Sequence, residues 1–249
     1  MLKGPLLKEK RIYQKAPIES AIIDVQVEFT ALSDIALLAA PPQEIRDLYP
    51  ESNPVVSGTA NVSLGARAAA SYHPVQVGYF RRSRSAPLGM QVRQDGLTVS
   101  RGAPYESWES LKQQFLELWK WYTTVVNVAK IKRIGVRYTN RILLPLPVKD
   151  FREYFNTLPT IGDGLPGGLL AYGMQLQIPL VDSGALVILA QSMQPFVGGD
   201  KLPIVLDIDV VRPGPLAVEA LMDTLAELHD RENDFFENSI TDKTREIIS

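Results

Sequence analysis

A two-residue period is the feature that most narrows what this chain can fold into. From Ala21 to Phe29, the residues Ala21, Ile23, Val25, Val27 and Phe29 alternate with Ile22, Asp24, Gln26 and Glu28, the pattern of a strand with one face inside and one in water. The period returns later in the chain. Tyr172, Met174, Leu176, Ile178 and Leu180 alternate with Gly173, Gln175 and Gln177, and Ile204, Leu206, Ile208 and Val210 with Val205, Asp207, Asp209 and Val211. Within Ile131 to Leu144 the same parity groups Arg133, Arg137, Thr139 and Arg141. Such strands call for an antiparallel sheet with one apolar face covered and the other wet. The wet face then carries Asp24, Gln26, Glu28, Arg137, Arg141, Gln175, Gln177, Asp207 and Asp209, a polar floor with charges of both signs.

Between the strands the period changes. Trp108, Leu111, Phe115, Leu118, Trp119, Tyr122 and Val126 recur at intervals of three and four, which predicts a long amphipathic helix from Ser107 to Val126 whose aromatic stripe is core. In the first half Ser33 and Asp34 can cap a helix through Ala40. Pro41 and Pro42 interrupt it, and it resumes to about Tyr49. Glu51 to Ser71 reads as a loop or a weak edge strand, followed by strands near 75–82, 88–94 and 97–101. Asp95-Gly96 predicts a hairpin between the last two. The second half repeats the order: a strand at Ile131 to Leu144, a short helix at Val148 to Phe155, strands at about 170–180, 184–194 and 203–211, and a helix introduced by Pro213 and Pro215 that runs to about Asn238. The fold class expected is α+β. One domain over 1–249 is made of duplicated β-α-β-β-β-α units, about 17–128 and 129–249, with a curved, largely antiparallel sheet and two long helices on one face.

Composition removes several function classes. The chain has 249 residues and no cysteine, so disulfides, thiolate catalysis and Cys-type zinc sites are out of reach. Its only histidines are His73 and His229, without HxxxH spacing, and no metal site or cofactor is expected. A net charge of −2 gives no general field for a polyanion, so nucleic acid is not the expected partner. Arg81, Arg82 and Arg84 form the one dense basic patch and read as a solvated hairpin edge. The N-terminal MLKGPLLKEKRIYQKAP lacks a signal-peptide apolar run, and no window approaches about 18 continuous apolar residues. The expected compartment is the cytoplasm.

Asp207 and Asp209, two apart on a strand, project the same way roughly 6.5–7 Å apart. They could hold Mg²⁺ or act as acid and base, but pairing with Arg137 or Arg141 across strands is the favoured reading. The glycine-rich GDGLPGG at 162–168 and GGDK at 198–201 lack the P-loop form and read as connectors. No GxSxG elbow is present. His229 is expected near the end of its helix as a packing or capping residue.

Three segments, APIESAIIDVQVEF at 16–29, IGVRYTNRI at 134–142 and LHDRENDFFENSITDKTREI at 228–247, together resemble the hallmark segments of a sporadically distributed family of uncharacterised prokaryotic proteins. The resemblance spans nearly the whole chain, and its order and spacing are more specific than any one segment. Pro17, Glu19, Arg137, Tyr138, Asn140, Arg141, His229, Phe236 and Thr241 are the positions that match. It implies an intracellular bacterial or archaeal protein, and a patchy distribution suggests gene transfer, as for defence, toxin or mobile-element genes. It supplies no catalytic residues. In physical terms Pro17 can fix the start of the first strand and Thr241 can cap the last helix. The expectation is a non-enzymatic binding or regulatory protein with a protein partner or a second copy of itself, and a lipid-type pocket between helix and sheet as a variant. The alternatives are a metal-dependent enzyme using Asp207, Asp209 and Glu28 with Arg137 and Arg141 on phosphate, and a chaperone-like oligomer.

Overall fold

In the computed structural model, Ala21, Ile23, Val25 and Val27 are all buried along β1 (Ile18–Phe29), as their alternation requires. The structure describes residues 11–30, 34–63, 69–160, 162, 169–195 and 198–249, with 59–63 and 69–72 in backbone only. Ser33 and all of GDGLPGG but its first glycine lie outside the described residues. β1 is followed by the short helices α1 (Ile35–Ala39) and α2 (Gln43–Leu48), and the Asp34 carboxylate caps α1 by accepting from the Ala36 N–H. Next come β2 (Glu51–Ser63), β3 (Ala69–Arg82), β4 (Leu88–Arg93), β5 (Gly96–Gly102) and the long helix α3 (Trp108–Val125). The second half holds β6 (Val128–Pro145), β7 (Gly173–Leu180), β8 (Ala185–Met193), β9 (Lys201–Leu216), α4 (Leu221–Ser239) and α5 (Asp242–Ile248).

The fold is α+β, and among the described residues nine strands form one antiparallel sheet in the order β2-β3-β4-β5-β1-β6-β9-β8-β7. The first strand of each half stands at the centre, and the remaining strands of that half run outward in reverse order. The halves are not equal element by element. The first has five strands, because the polar segment after Glu51 forms the full edge strand β2. The second has four, with a 3-10 turn at Phe151–Glu153 where a short helix was expected.

α3 packs against β5 and β1, and α4 against β6 and β9, on the same apolar face. Trp108, Leu111, Phe115, Leu118, Trp119 and Tyr122 are buried as their spacing predicts. Burying a side chain such as Phe115 contributes about 1.5–3 kcal/mol, so this stripe alone fixes α3 to the sheet. Among the described residues no helix is long and apolar enough to cross a membrane.

Three local expectations are corrected. Pro213 and Pro215 do not open a helix: β9 continues through them to Leu216, and α4 begins at Leu221 after a 3-10 turn at Val218–Ala220. Both prolines lie beyond Val211, where pairing of β9 with β8 ends, and Pro215 falls where the β6–β9 register shifts between Ile131 and Arg133. The hairpin exists, but its two turn residues are Gln94 and Asp95, and Gly96 is already in β5 opposite Arg93. Gly96 serves packing rather than turn geometry, since a Cβ there would sit 2.6 Å from the Val25 carbonyl oxygen. Arg81 is not solvated. It is 6% exposed and donates to the Ala39 carbonyl, while Arg82 and Arg84 ion-pair with Glu51.

Gly96→Ala is expected to cost about 1–3 kcal/mol, because β5 must move off β1 to admit the methyl group. Gly173→Ala, where a Cβ meets nothing within 4 Å, should stay within about 0.5 kcal/mol of the parent. Urea melts of both variants check the contrast, and equal losses would remove the close-approach argument.

Candidate functional site

The open face of the sheet carries the expected charges, and they are largely matched to one another. Arg137 grips Asp207 through two parallel hydrogen bonds, with Nε at 2.8 Å from Oδ1. Arg133 bridges Asp24 at 2.7 Å and Asp209 at 3.2 Å, and Arg93 and Thr98 also reach Asp24. Arg141 turns to Glu19 at 3.2 Å. Asp207 strengthens the protonated state of Arg137, chiefly through the paired hydrogen bond. Burial raises the Asp209 carboxyl above its ordinary range, partly offset by Arg133 and Arg137. Gln175 and Gln177 lie on the edge strand β7, in register through β8 with Asp207 and Asp209. Glu28 does not join them. Asp209 is level with Arg137 and Arg137 with Ile22, so Glu28 lies six residues further along β1, roughly 20 Å away. Among the described residues no three His, Asp or Glu side chains are grouped to hold a metal ion.

The concave site lies on the other face, where the two halves meet under the helices. A cavity of about 650 Å³, open to solvent on one side, is lined by the N-terminal segment 11–17, the loop between β5 and α3, the start of α3, β6 and α4. Tyr138 and Asn140 reach it because they alternate with Arg137 and Arg141 on β6. Pro17, His229 and Phe236 line it too, so five of the nine family-like positions converge here. Glu19, Arg137 and Arg141 stay on the opposite face. Thr241 precedes α5, but its hydroxyl donates to the Glu153 carbonyl instead of capping the helix.

His229 is in the middle of α4, not near its end, and it is a wall of the cavity. Its ring stacks on Trp108 with centroids 4.2 Å apart and planes 8° apart. The Tyr138 hydroxyl lies 3.4 Å from Nδ1, and Asn233 Nδ2 lies 3.1 Å from Nε2. Tyr138 and Tyr105 share a hydroxyl hydrogen bond of 2.8 Å. Burial pushes both phenols well up. Asn140 Nδ2 donates to the Leu206 carbonyl at 3.3 Å. The segment over the cavity is tied down by Tyr13, which donates to Glu237 at 2.5 Å, and by a Lys15 N–H bond to the Ile248 carbonyl. Arg245 holds the other Glu237 oxygen at 2.8 Å. No protein-family model matches the chain, and no curated protein is significantly similar to it, so the site is defined by its own geometry.

Glu232 is the residue that the sequence reading missed. It is 3% exposed, lines the cavity, and its carboxyl is pushed up to about 8 by burial alone. A signal was present in the sequence: Leu221, Leu225 and Leu228 set a stripe along α4, and the next positions on it are Glu232 and Phe236. A carboxylate on an apolar stripe is uncommon unless paired. Tyr105, Asn233 and Glu237 carried no comparable signal.

The unfolded chain protonates Glu232 near the ordinary 4.5, whereas the folded chain holds that proton to about 8. Folding therefore binds a proton across this interval, and the residue's effect on stability is most favourable below 4.5 and declines as pH rises toward 8, by up to about 1.4 kcal/mol per pH unit. Glu232→Gln removes the titration. Its stability relative to the parent should improve steadily over that pH range in chemical denaturation, and parallel pH profiles would show that the carboxyl is not buried.

Proposed function

We propose that this is a non-enzymatic binding protein whose ligand occupies the cavity beneath the N-terminal segment. The observation that carries the reading is the cavity itself: about 650 Å³, within the size range of small-molecule sites, with aromatic walls and a few convergent polar groups. Binding is favoured over turnover because the polar lining is largely committed to internal bonds. Glu237 is held by Tyr13 and Arg245, Asn140 by Leu206, and Tyr105 by Tyr138. The ion-paired open face gives less support to the metal-dependent alternative, since Asp207 and Asp209 already have arginine partners.

Because the lining comes from both halves of the chain and from the N-terminal segment, ligand occupancy can be communicated to the sheet and to α4. This suits a regulator or sensor. Resemblance to the prokaryotic family supports placing it in the cytoplasm, within a defence, toxin or mobile-element system. The open sheet face, with Arg137 and Arg141 about half exposed, is the surface we assign to a protein partner. A chaperone-like oligomer is the weaker alternative, since no feature of the cavity requires a second copy.

Native mass spectrometry of protein purified from its host tests the binding reading. A small molecule should co-purify with the parent and be lost from Asn233→Trp, which fills the cavity from the α4 side, while circular dichroism remains that of the parent. Retention of the molecule by the filled variant would place its site elsewhere.

A further inference from the structure

We propose that the cavity is built for an organic ammonium ion, with its nitrogen on Glu232 and its carbon frame between Trp108, Tyr105 and Tyr138. This rests on reading the cavity as a ligand site and specifies the chemistry of the ligand. The argument begins with how the lining carboxylates are matched. Glu237 has Tyr13 and Arg245, and Glu106 has Arg101. Glu232, the most deeply buried of them, has no hydrogen-bond or ion-pair partner among the described residues. A carboxylate removed from water without a partner is costly, and a cation that enters beside it restores the missing pair.

Among the described residues the lining also holds Glu106, Glu109 and Glu237, of which Glu106 and Glu237 are balanced by Arg101 and Arg245, and the cations Arg11 and Lys15 on the exposed N-terminal segment. A cation alone would give the Glu232 carboxylate a partner of opposite charge. The aromatic groups add attraction for a cation: the Tyr105 and Tyr138 rings meet edge to face at 5.6 Å, and Trp108 stacks on His229 beside them. Aromatic faces attract ammonium groups, more strongly when water is excluded.

Tyr105 from the loop and Tyr138 from β6 lie within electrostatic reach of Glu232, and Glu109 from α3, His229 from its own helix, and Arg11 and Lys15 from the covering segment line the same cavity. Both tyrosines stay neutral at physiological pH. Glu232 therefore holds its proton in the empty site at neutral pH. On binding, the protonated carboxyl loses its proton to the buffer and the resulting carboxylate pairs with the ammonium ion. Affinity should then rise by up to about tenfold per pH unit below the carboxyl's free value and level off above it.

Isothermal titration calorimetry with three probes of one shape tests this: phenethylamine, 2-phenylethanol and phenylacetate, each against the full-length parent and Glu232→Gln, at neutral pH in two buffers of different ionisation enthalpy. Phenethylamine should bind the parent most tightly and release close to one proton per ligand. In Glu232→Gln its affinity should fall at least about tenfold, and proton release should vanish. Gln keeps the shape of the side chain and should not unfold the protein. Equal binding of phenethylamine and 2-phenylethanol without proton release overturns the cation assignment and leaves the cavity as a ligand site. Preference for phenylacetate overturns it as well. If no probe binds at millimolar concentration, both the assignment and the ligand-site reading fall.

Discussion

The antiparallel pairing of β1 with β6 is the constraint on which the rest of this structure depends. It joins the two halves of the chain through a register that runs from Ile18 opposite Asn140 to Phe29 opposite Val128. Because side chains in a sheet alternate, a slip of one residue would exchange the faces of the strand that moved. Were β1 to slip, Ile23 and Val25 would turn to water and Asp24 would face the helices; were β6 to slip, Ile134, Val136 and Tyr138 would be exposed and Arg133 and Arg137 buried. The hydrophobic cost of that exchange fixes the register, and the register in turn sets which residues line the cavity and which meet the open face.

Ion pairing on the open face follows from the same geometry. Asp24, Arg133 and Asp209 come from three adjacent strands, and the Arg133 guanidinium is long enough to reach both carboxylates. Partly exposed pairs of this kind each contribute only about 0.2–1 kcal/mol. Their larger consequence is that charges of opposite sign are matched in place, so the face neither repels itself nor presents a single-sign field. On the covered face the balance differs. Glu232 has no such partner, and its burial is tolerated because the carboxyl can keep its proton.

The cavity belongs to neither half alone. Tyr105 and Trp108 come from the end of the first half, Tyr138 and Asn140 from the strand that opens the second, and Glu232 and Phe236 from the helix that closes it. Both long helices lie on the apolar face, and the N-terminal segment passes over the space beside them. Tyr13 and Lys15 anchor this segment to α4 and α5, so that it forms one wall of the groove between helices and sheet.

How much of this could be read in advance depended on the range of the physical signal. Local periodicity determined the strand faces of β1, β6 and β9, the buried stripe of α3, and the α+β class, because each follows from side-chain spacing along a single element. The charged residues of the open floor were legible for the same reason, and so was the preference of Asp207 for arginine. What the sequence could not decide were matters set by other strands. Gly96 is explained by the Val25 carbonyl beside it, Pro215 by a register shift of β9 against β6, and the burial of Arg81 by the end of α1. Glu232 stood on an apolar stripe in plain view, but only tertiary structure put Tyr105, Tyr138, Trp108 and the N-terminal segment around it. Periodicity reports which way a side chain points. Its surroundings depend on contacts between residues distant in sequence, and these the fold alone supplied.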